Sequence, residues 1–312
     1  MQNLIVAAGV VAPLLILIGL GLLVRHIGLV NRPTLVKIDA LSFRTFMPAL
    51  LFYNIYTSDL SQDFNIKLVV FSLVSLFVIV GLSVVIVPKL EPSNPKRAAL
   101  CQAIMRSNFI LFGVAITDSL YGPGHAGIVS LLSAILIPVM NAIAVILLEY
   151  YRGGNVSVGA LLGSVRKNPL VIASVCGLVT LLLGITLPPV IQKVIKDLAG
   201  VTTPLCFLSL GGSLSMGEFY KNRRQLAIGL IARMAIIPLV FLTFSVLLGF
   251  RQMNLAALMV MFAAPTAVST FTMAQQMGAD GELAGQLVAG STLLSVLTIF
   301  VFTFVFKTMG IL

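Results

Sequence analysis

Ten stretches of this chain stay apolar for 19–25 residues at a time, and the polar positions gather in the links between them. A helix rises about 1.5 Å per residue, so about 20 apolar residues cross a hydrocarbon layer about 30 Å thick. The pattern predicts ten spanning helices: Leu4–Val24, Leu35–Thr57, Lys67–Val87, Ala98–Leu120, Gly127–Tyr150, Pro169–Leu187, Ile191–Ser215, Gln225–Leu248, Leu255–Met277 and Leu283–Phe306. The first of these reads as a span rather than a removable signal, since no basic region precedes it. The longest link, Tyr151–Asn168, contains VSVGALLGSV. That run predicts a short amphipathic helix lying along the membrane surface.

The pattern also repeats. Shifted by 156 positions, Pro13, Leu14 and Ile16 fall on Pro169, Leu170 and Ile172, and Gly21 and Leu22 fall on Gly177 and Leu178. Gly28 meets Gly184, Pro33 meets Pro189, Lys37 meets Lys193, and Pro48 meets Pro204. Matched glycines and prolines constrain backbone shape, not hydropathy alone. Farther on the offset becomes 158, where Ala98-Ala99-Leu100 falls on Ala256-Ala257-Leu258. The expected fold is an all-α polytopic membrane protein. Residues 1–151 form a first five-helix repeat, 152–168 a short cytoplasmic link, and 169–312 a second repeat. Five is odd, so the second repeat enters the membrane from the opposite side. Such inverted repeats are an architecture of secondary transporters.

Segments four and nine are interrupted at matching places. The fourth contains AIMRSNFILFGVA (Ala103–Ala115) and the ninth FAAPTAVSTFTMAQQMG (Phe262–Gly278). At the second offset Ser107-Asn108 falls on Pro265-Thr266. Pro265 removes a backbone donor and obstructs a helical turn. Ser107 and Asn108 draw backbone out of the helical pattern through their own hydrogen bonds. Irregular backbone at membrane depth is tolerated only where protein or a water-filled cavity surrounds it. Two broken helices crossing there would present half-helix N-termini, whose positive partial charge suits an anion.

Arg106 stands beside the first break. An unpaired arginine at mid-membrane costs about 3 kcal/mol or more. It is expected either to bind an anion in an aqueous cavity or to cap broken-helix carbonyls. The candidate substrate-binding residues are Arg106, Ser107, Asn108, Pro265 and Thr266, with Asn54 of segment two and Arg233 of segment eight. Arg233 also has the option of snorkelling, and Arg44 and Asp39 read as structural or vestibule-lining. Pro204 with Thr202 and Thr203 is the repeat-mate of the Pro48 region and is a further lining candidate.

Composition narrows the class. The chain is 59% hydrophobic and 10% charged, with mean hydropathy +1.09. That leaves too little polar surface for a soluble protein. The net charge of +10 suggests nucleic acid only if the location of the charges is ignored. Twelve basic residues fall in links on one side and five on the other. Arg44, Arg106 and Arg233 lie within segments. The positive-inside rule therefore places both termini outside. The three cysteines lie in apolar runs without metal spacing and read as small packing residues. His26 and His125 read as solvated. The glycines at 19, 21, 177, 211 and 212 read as sites of close helix packing. No cofactor, metal cluster or nucleophile–base constellation is present, which argues against an enzyme.

The stretch RSNFILFGVAITDSLYG (Arg106–Gly122), followed by APTAVSTFTMAQQMGAD (Ala264–Asp280), resembles the auxin efflux carrier family. This is the bacterial branch related to plant PIN-formed auxin exporters and, more distantly, to bile acid:sodium symporters. The resemblance covers essentially the whole chain, including FLSLGG (Phe207–Gly212). It implies a crossover of broken segments four and nine, a scaffold part and a mobile part, elevator-like alternating access and homodimers in a bacterial inner (cell) membrane. It also implies organic-anion substrates: auxin-like acids, or small carboxylates such as malate or malonate. Asn108 matches the crossover asparagine, Pro265 the crossover proline, and Gly113 and Tyr121-Gly122 the end of segment four. Two departures stand out. Ser107 and Ala115 occupy places where plant relatives carry prolines, so the first break is expected to be less sharply kinked. The long cytoplasmic loop of many plant members is absent.

Coupling to a proton or to sodium stays open in the sequence. Asp118, Asp39 and Asp197 are the acidic groups nearest the expected site. Ser269, Thr270 and Thr272 are hydroxyls beside a broken backbone that suit either a sodium ion or helix–helix hydrogen bonds. Gln275 and Gln276 match a polar pair in the family. The reading is a secondary transporter of a small organic anion. The alternatives are a sodium-coupled symporter of the bile-acid type, or a channel or sensor.

Overall fold

A computed structural model describes residues 2–58, 65–122, 125–153 and 157–312. Every predicted apolar segment is helical, and the described residues contain no strand. Among the described residues six helices are long and apolar enough to cross a membrane: Ala7–His26, Ile66–Leu90, Gly127–Arg152, Pro189–Ser213, Arg223–Leu247 and Gly281–Thr308. The other four predicted segments depart from a plain span, each for a visible reason.

Segment two runs as Arg32–Leu41, a π-helical turn over Ser42–Phe46, and Met47–Tyr56. Segment eight has the same device at Ala232–Ile236. Each π turn leads up to a proline, Pro48 or Pro238. A proline ring leaves no room for the carbonyl four residues back, and the widened turn accommodates it. Segment six is helical only over Pro169–Leu182, shorter than the predicted Pro169–Leu187. Gly184 adopts φ +62°, a left-handed conformation that ends the helix, and Pro189 starts the next one. The helix predicted in the long link is Val158–Lys167, capped by Ser157, and it bends by 67° into Pro169–Leu182. Val156, at the start of the predicted helix, lies outside the described residues. Segments four and nine are each two short helices: Asn94–Met105 with Phe109–Tyr121, and Gln252–Ala263 with Ser269–Met277.

Segments one, two, six and seven pack together. Segment one lies on seven, and the Met47–Tyr56 part of two lies on six. At Gly21 a Cβ would collide with the carbonyl oxygen of Leu208, and at Gly177 it would come within 3.1 Å of that of Phe52. Gly177 and Leu208 are Gly21 and Phe52 moved by the 156-residue offset. One contact is thus made twice, with the roles of the two halves exchanged. The Thr202 hydroxyl donates to the Phe46 carbonyl at 2.9 Å, and these two residues are also separated by 156.

Gly211 packs on the Ile18 carbonyl as closely as Gly21 packs on Leu208, while Gly19 faces open space. The reading of Gly19 as a packing residue is therefore corrected: it points away from the neighbouring helix. Gly211→Ala is expected to destabilise by about 1–3 kcal/mol, because backbone must move to admit a methyl group. Gly19→Ala is expected to stabilise by about 0.5–1 kcal/mol through helix propensity. Thermal unfolding of the two variants in detergent checks this opposition of sign.

Candidate functional site

The two breaks meet. Segment four unwinds over Arg106–Asn108 and segment nine over 264–268, and Ser107 pairs with Thr266 in an isolated antiparallel bridge. The Asn108 amide donates to the Pro265 carbonyl at 2.8 Å, and the Ala267 amide to the Arg106 carbonyl at 3.4 Å. The Thr266 amide donates to Ser291 Oγ at 3.1 Å, while its hydroxyl donates to the Ala103 carbonyl at 2.9 Å. Unwound backbone at this depth must find partners inside the protein, and each break supplies them to the other. The break with Ser107 spans three residues and the break with Pro265 spans five.

The two ends of each break differ in electrical sign. The first halves, Asn94–Met105 and Gln252–Ala263, bring their C-terminal carbonyls to the junction. Arg233 covers them. Its Nε and Nη2 donate to the Ala264 carbonyl at 3.1 and 2.8 Å, Nη2 also donates to that of Met261 at 3.1 Å, and Nη1 to that of Ile104 at 3.4 Å. A helix C-terminus carries about half a negative charge, so two of them match one guanidinium. Arg233 is therefore a structural cap between broken helices and does not line the cavity.

The second halves, Phe109–Tyr121 and Ser269–Met277, bring their N-termini to the junction. A cavity of about 80 Å³ lies there. Phe109, Ile110, Val268 and Ser269 contribute the helix starts to its wall. Met47, Asn54, Thr202 and Thr203 close it from segments two and seven, and Met140 and Asn141 from segment five. Arg106, Ser107 and Asn108 also line it, whereas Pro265 and Thr266 stand behind the wall and shape it through the bridge.

Arg106 is 5% exposed, and its partners are all neutral. Nη2 donates to Asn141 Oδ1 at 2.8 Å and to Ser269 Oγ at 2.7 Å, and Nη1 lies 2.8 Å from Met273 Sδ. Among the described residues no carboxylate comes within ion-pair distance of it. The two nearby helix starts add about half a positive charge each. Arg106 thus adds a cation to a place that is already positive, which is the reverse of the surroundings of Arg233. Positive surroundings of this kind favour a negative charge.

Asn141 was not legible as a site residue. Its Nδ2 donates to Ser174 Oγ at 3.0 Å, and that hydroxyl donates to the Leu170 carbonyl at 2.7 Å. The relay fixes the amide so that its oxygen faces Arg106. An asparagine in the middle of segment five, three residues after Pro138, is the only hint of this in the sequence. Asn141→Leu is expected to weaken anion binding about tenfold by releasing the guanidinium, a loss of about 1.4 kcal/mol. Titration calorimetry measures it.

Asp39 is fully buried and Arg44 is exposed, with no ion pair between them among the described residues. Cys101 and Cys206 are buried, but Cys176 is exposed on a helix face and is not a packing residue. His26 and His125 are exposed.

No curated protein matches the sequence. The membrane transport protein family matches residues 6–160 and 160–303, nearly the full length of the chain. The chain belongs to this family, that of the auxin efflux carriers, and is an integral membrane protein of a class of secondary transporters.

Proposed function

We propose that the protein moves a small monocarboxylate across the membrane, binding it at the junction of the two breaks. The observation that carries this reading is the set of groups around one small cavity: two helix N-termini and a buried arginine with no carboxylate partner among the described residues. A guanidinium takes a carboxylate through two parallel hydrogen bonds. Only one arginine reaches the cavity, since Arg233 is spent on carbonyls, and this favours one carboxyl group over two. The volume of about 80 Å³ favours a short acid over a ring-bearing one.

The cavity lies between segments two and seven on one side and four, five and nine on the other. In the proposed mechanism the first group belongs to a scaffold with segments one and six, and the second belongs to a unit that slides past it. The contacts exchanged at the 156-residue offset support two inverted repeats as the basis for two equivalent end states. The homodimer implied by the family and both termini outside the cell membrane belong to the same proposal.

The test is thermal unfolding of the purified protein with acetate, lactate, malonate, malate and indole-acetate, each as its choline salt. A ligand specific to the folded state, at about 100 times its dissociation constant, adds about 2.7 kcal/mol. The expected result is stabilisation by short monocarboxylates. No stabilisation by any acid, in a sample that unfolds cooperatively, sinks the proposal.

A further inference from the structure

A second polar cluster lies apart from the anion cavity, where segment two, segment seven and the second half of segment nine meet. Asp39 is fully buried, and neither carboxylate oxygen has a hydrogen-bond partner. Ser42, Ser209 and Thr272 are also fully buried, each with an unpartnered hydroxyl. Asp39 and Ser42 stand three residues apart on one helix, and Cys206 and Ser209 three apart on another, so each pair shares a face. Ser209 lies against the Asp39 carboxyl, and the Cys206 sulfur neighbours Asp39, Ser42 and Thr272. Thr272 comes from Ser269–Met277, which packs on both helices.

Among the described residues no cation balances this carboxylate. On its own helix Arg32, Lys37 and Arg44 are exposed. On segment seven Lys193, Lys196 and Asp197 are exposed, and Lys193 pairs with Asp197 at 2.7 Å. Ser269–Met277 carries no titratable side chain. Cys206 is the titratable group that faces Asp39. A buried charge without a partner is strongly disfavoured.

A buried carboxylate and three buried hydroxyls gather here, and Ser209 is the hydroxyl set against the carboxylate. A hard cation is held by several such oxygens at about 2.4 Å, carboxylate and neutral oxygen together. An all-oxygen set selects a hard ion, and no group of three His, Cys, Asp or Glu suited to a transition metal occurs among the described residues. One negative charge calls for one positive charge.

We propose that Asp39, Ser42, Ser209 and Thr272 hold one small monovalent cation, an alkali ion or a proton. Two of the helices belong to the proposed scaffold and Ser269–Met277 to the proposed sliding unit. The ion therefore bridges parts that separate when the unit moves. Its presence favours the arrangement seen here, and its release accompanies the other one. The site stands on its own geometry, and its tie to transport rests on the proposed alternating access.

The test uses the full-length protein in detergent without carboxylate. Sodium chloride replaces choline chloride at constant ionic strength, and the melting temperature is followed. The wild type is expected to show a saturable rise of a few degrees, absent in Asp39→Asn and in Thr272→Val. In choline, Asp39→Asn is expected to be at least as stable as the wild type, because the amide removes an unbalanced charge. A purely structural Asp39 would give the reverse order. If the cation is a proton, sodium has no effect. Lowering the pH from about 8 to about 5.5 then stabilises the wild type more than Asp39→Asn. Equal responses of the wild type and Asp39→Asn to both sodium and pH overturn the proposal. A cation response that survives failure of every carboxylate overturns the anion reading alone.

Discussion

Arg106→Gln is expected to lose the proposed carboxylate binding and to leave the unliganded protein at least as stable as the wild type. Both halves of this result follow from its surroundings. The guanidinium donates to Asn141, Ser269 and the Met273 sulfur, all neutral, and stands beside two helix N-termini. Removing a cation from a positive, buried place relieves repulsion, and glutamine still donates to Asn141 Oδ1. The bound acid, by contrast, loses its bidentate partner. Charge-assisted hydrogen bonds contribute about 1.5–3 kcal/mol each, so the loss of two is about 3–6 kcal/mol, or on the order of a hundredfold to ten thousandfold in affinity. Arg106→Lys keeps the charge but not the planar fork, and is expected to fall between the two. Calorimetry and unfolding on the same samples separate binding from stability. An Arg106→Gln protein that binds acids normally would remove Arg106 from the site. One that is strongly destabilised without ligand would make the arginine a structural element.

The breaks themselves were legible because they rest on local chemistry. Pro265 cannot donate, Ser107 and Asn108 compete for backbone, and the offset of 158 laid one break on the other. That Ser107 and Thr266 then pair directly is consistent with the two halves meeting at equivalent points. The cavity wall was less legible. Asn54, Thr202 and Thr203 were expected there, but Asn141 was not, because a single amide in an apolar helix looks the same whether it faces a ligand or a neighbouring helix. The two arginines were the hardest case. Arg106 and Arg233 are both single cations within apolar segments, and sequence spacing does not say which end of a broken helix each one meets. Only the tertiary arrangement sorts them, one to the carbonyl ends and one to the amide ends. The Asp39 cluster was invisible for a similar reason: its hydroxyls come from three segments, and each is unremarkable alone.

Arg233→Met is expected to be the most damaging single substitution in the protein. The side chain is 2% exposed and covers the carbonyls of Ile104, Met261 and Ala264, which close the first halves of both broken segments. Methionine fills much of the volume and supplies no donor. Each buried carbonyl left without a partner costs about 1–3 kcal/mol, and removing the charge uncovers two helix C-termini that together carry about one negative charge. A loss of about 3–5 kcal/mol follows, set against a total stability of about 5–15 kcal/mol for a typical folded domain. The measurement is the melting temperature and the monodisperse yield after detergent extraction, with Arg233→Lys alongside. Lysine keeps the charge, reaches fewer carbonyls, and should recover part of the stability but not all of it. Since Arg233 touches no part of the cavity, the fraction of Arg233→Lys protein that folds should bind carboxylate with wild-type affinity. A folded Arg233→Lys protein that has lost carboxylate binding would return this residue to the substrate site and give the cavity two cations instead of one.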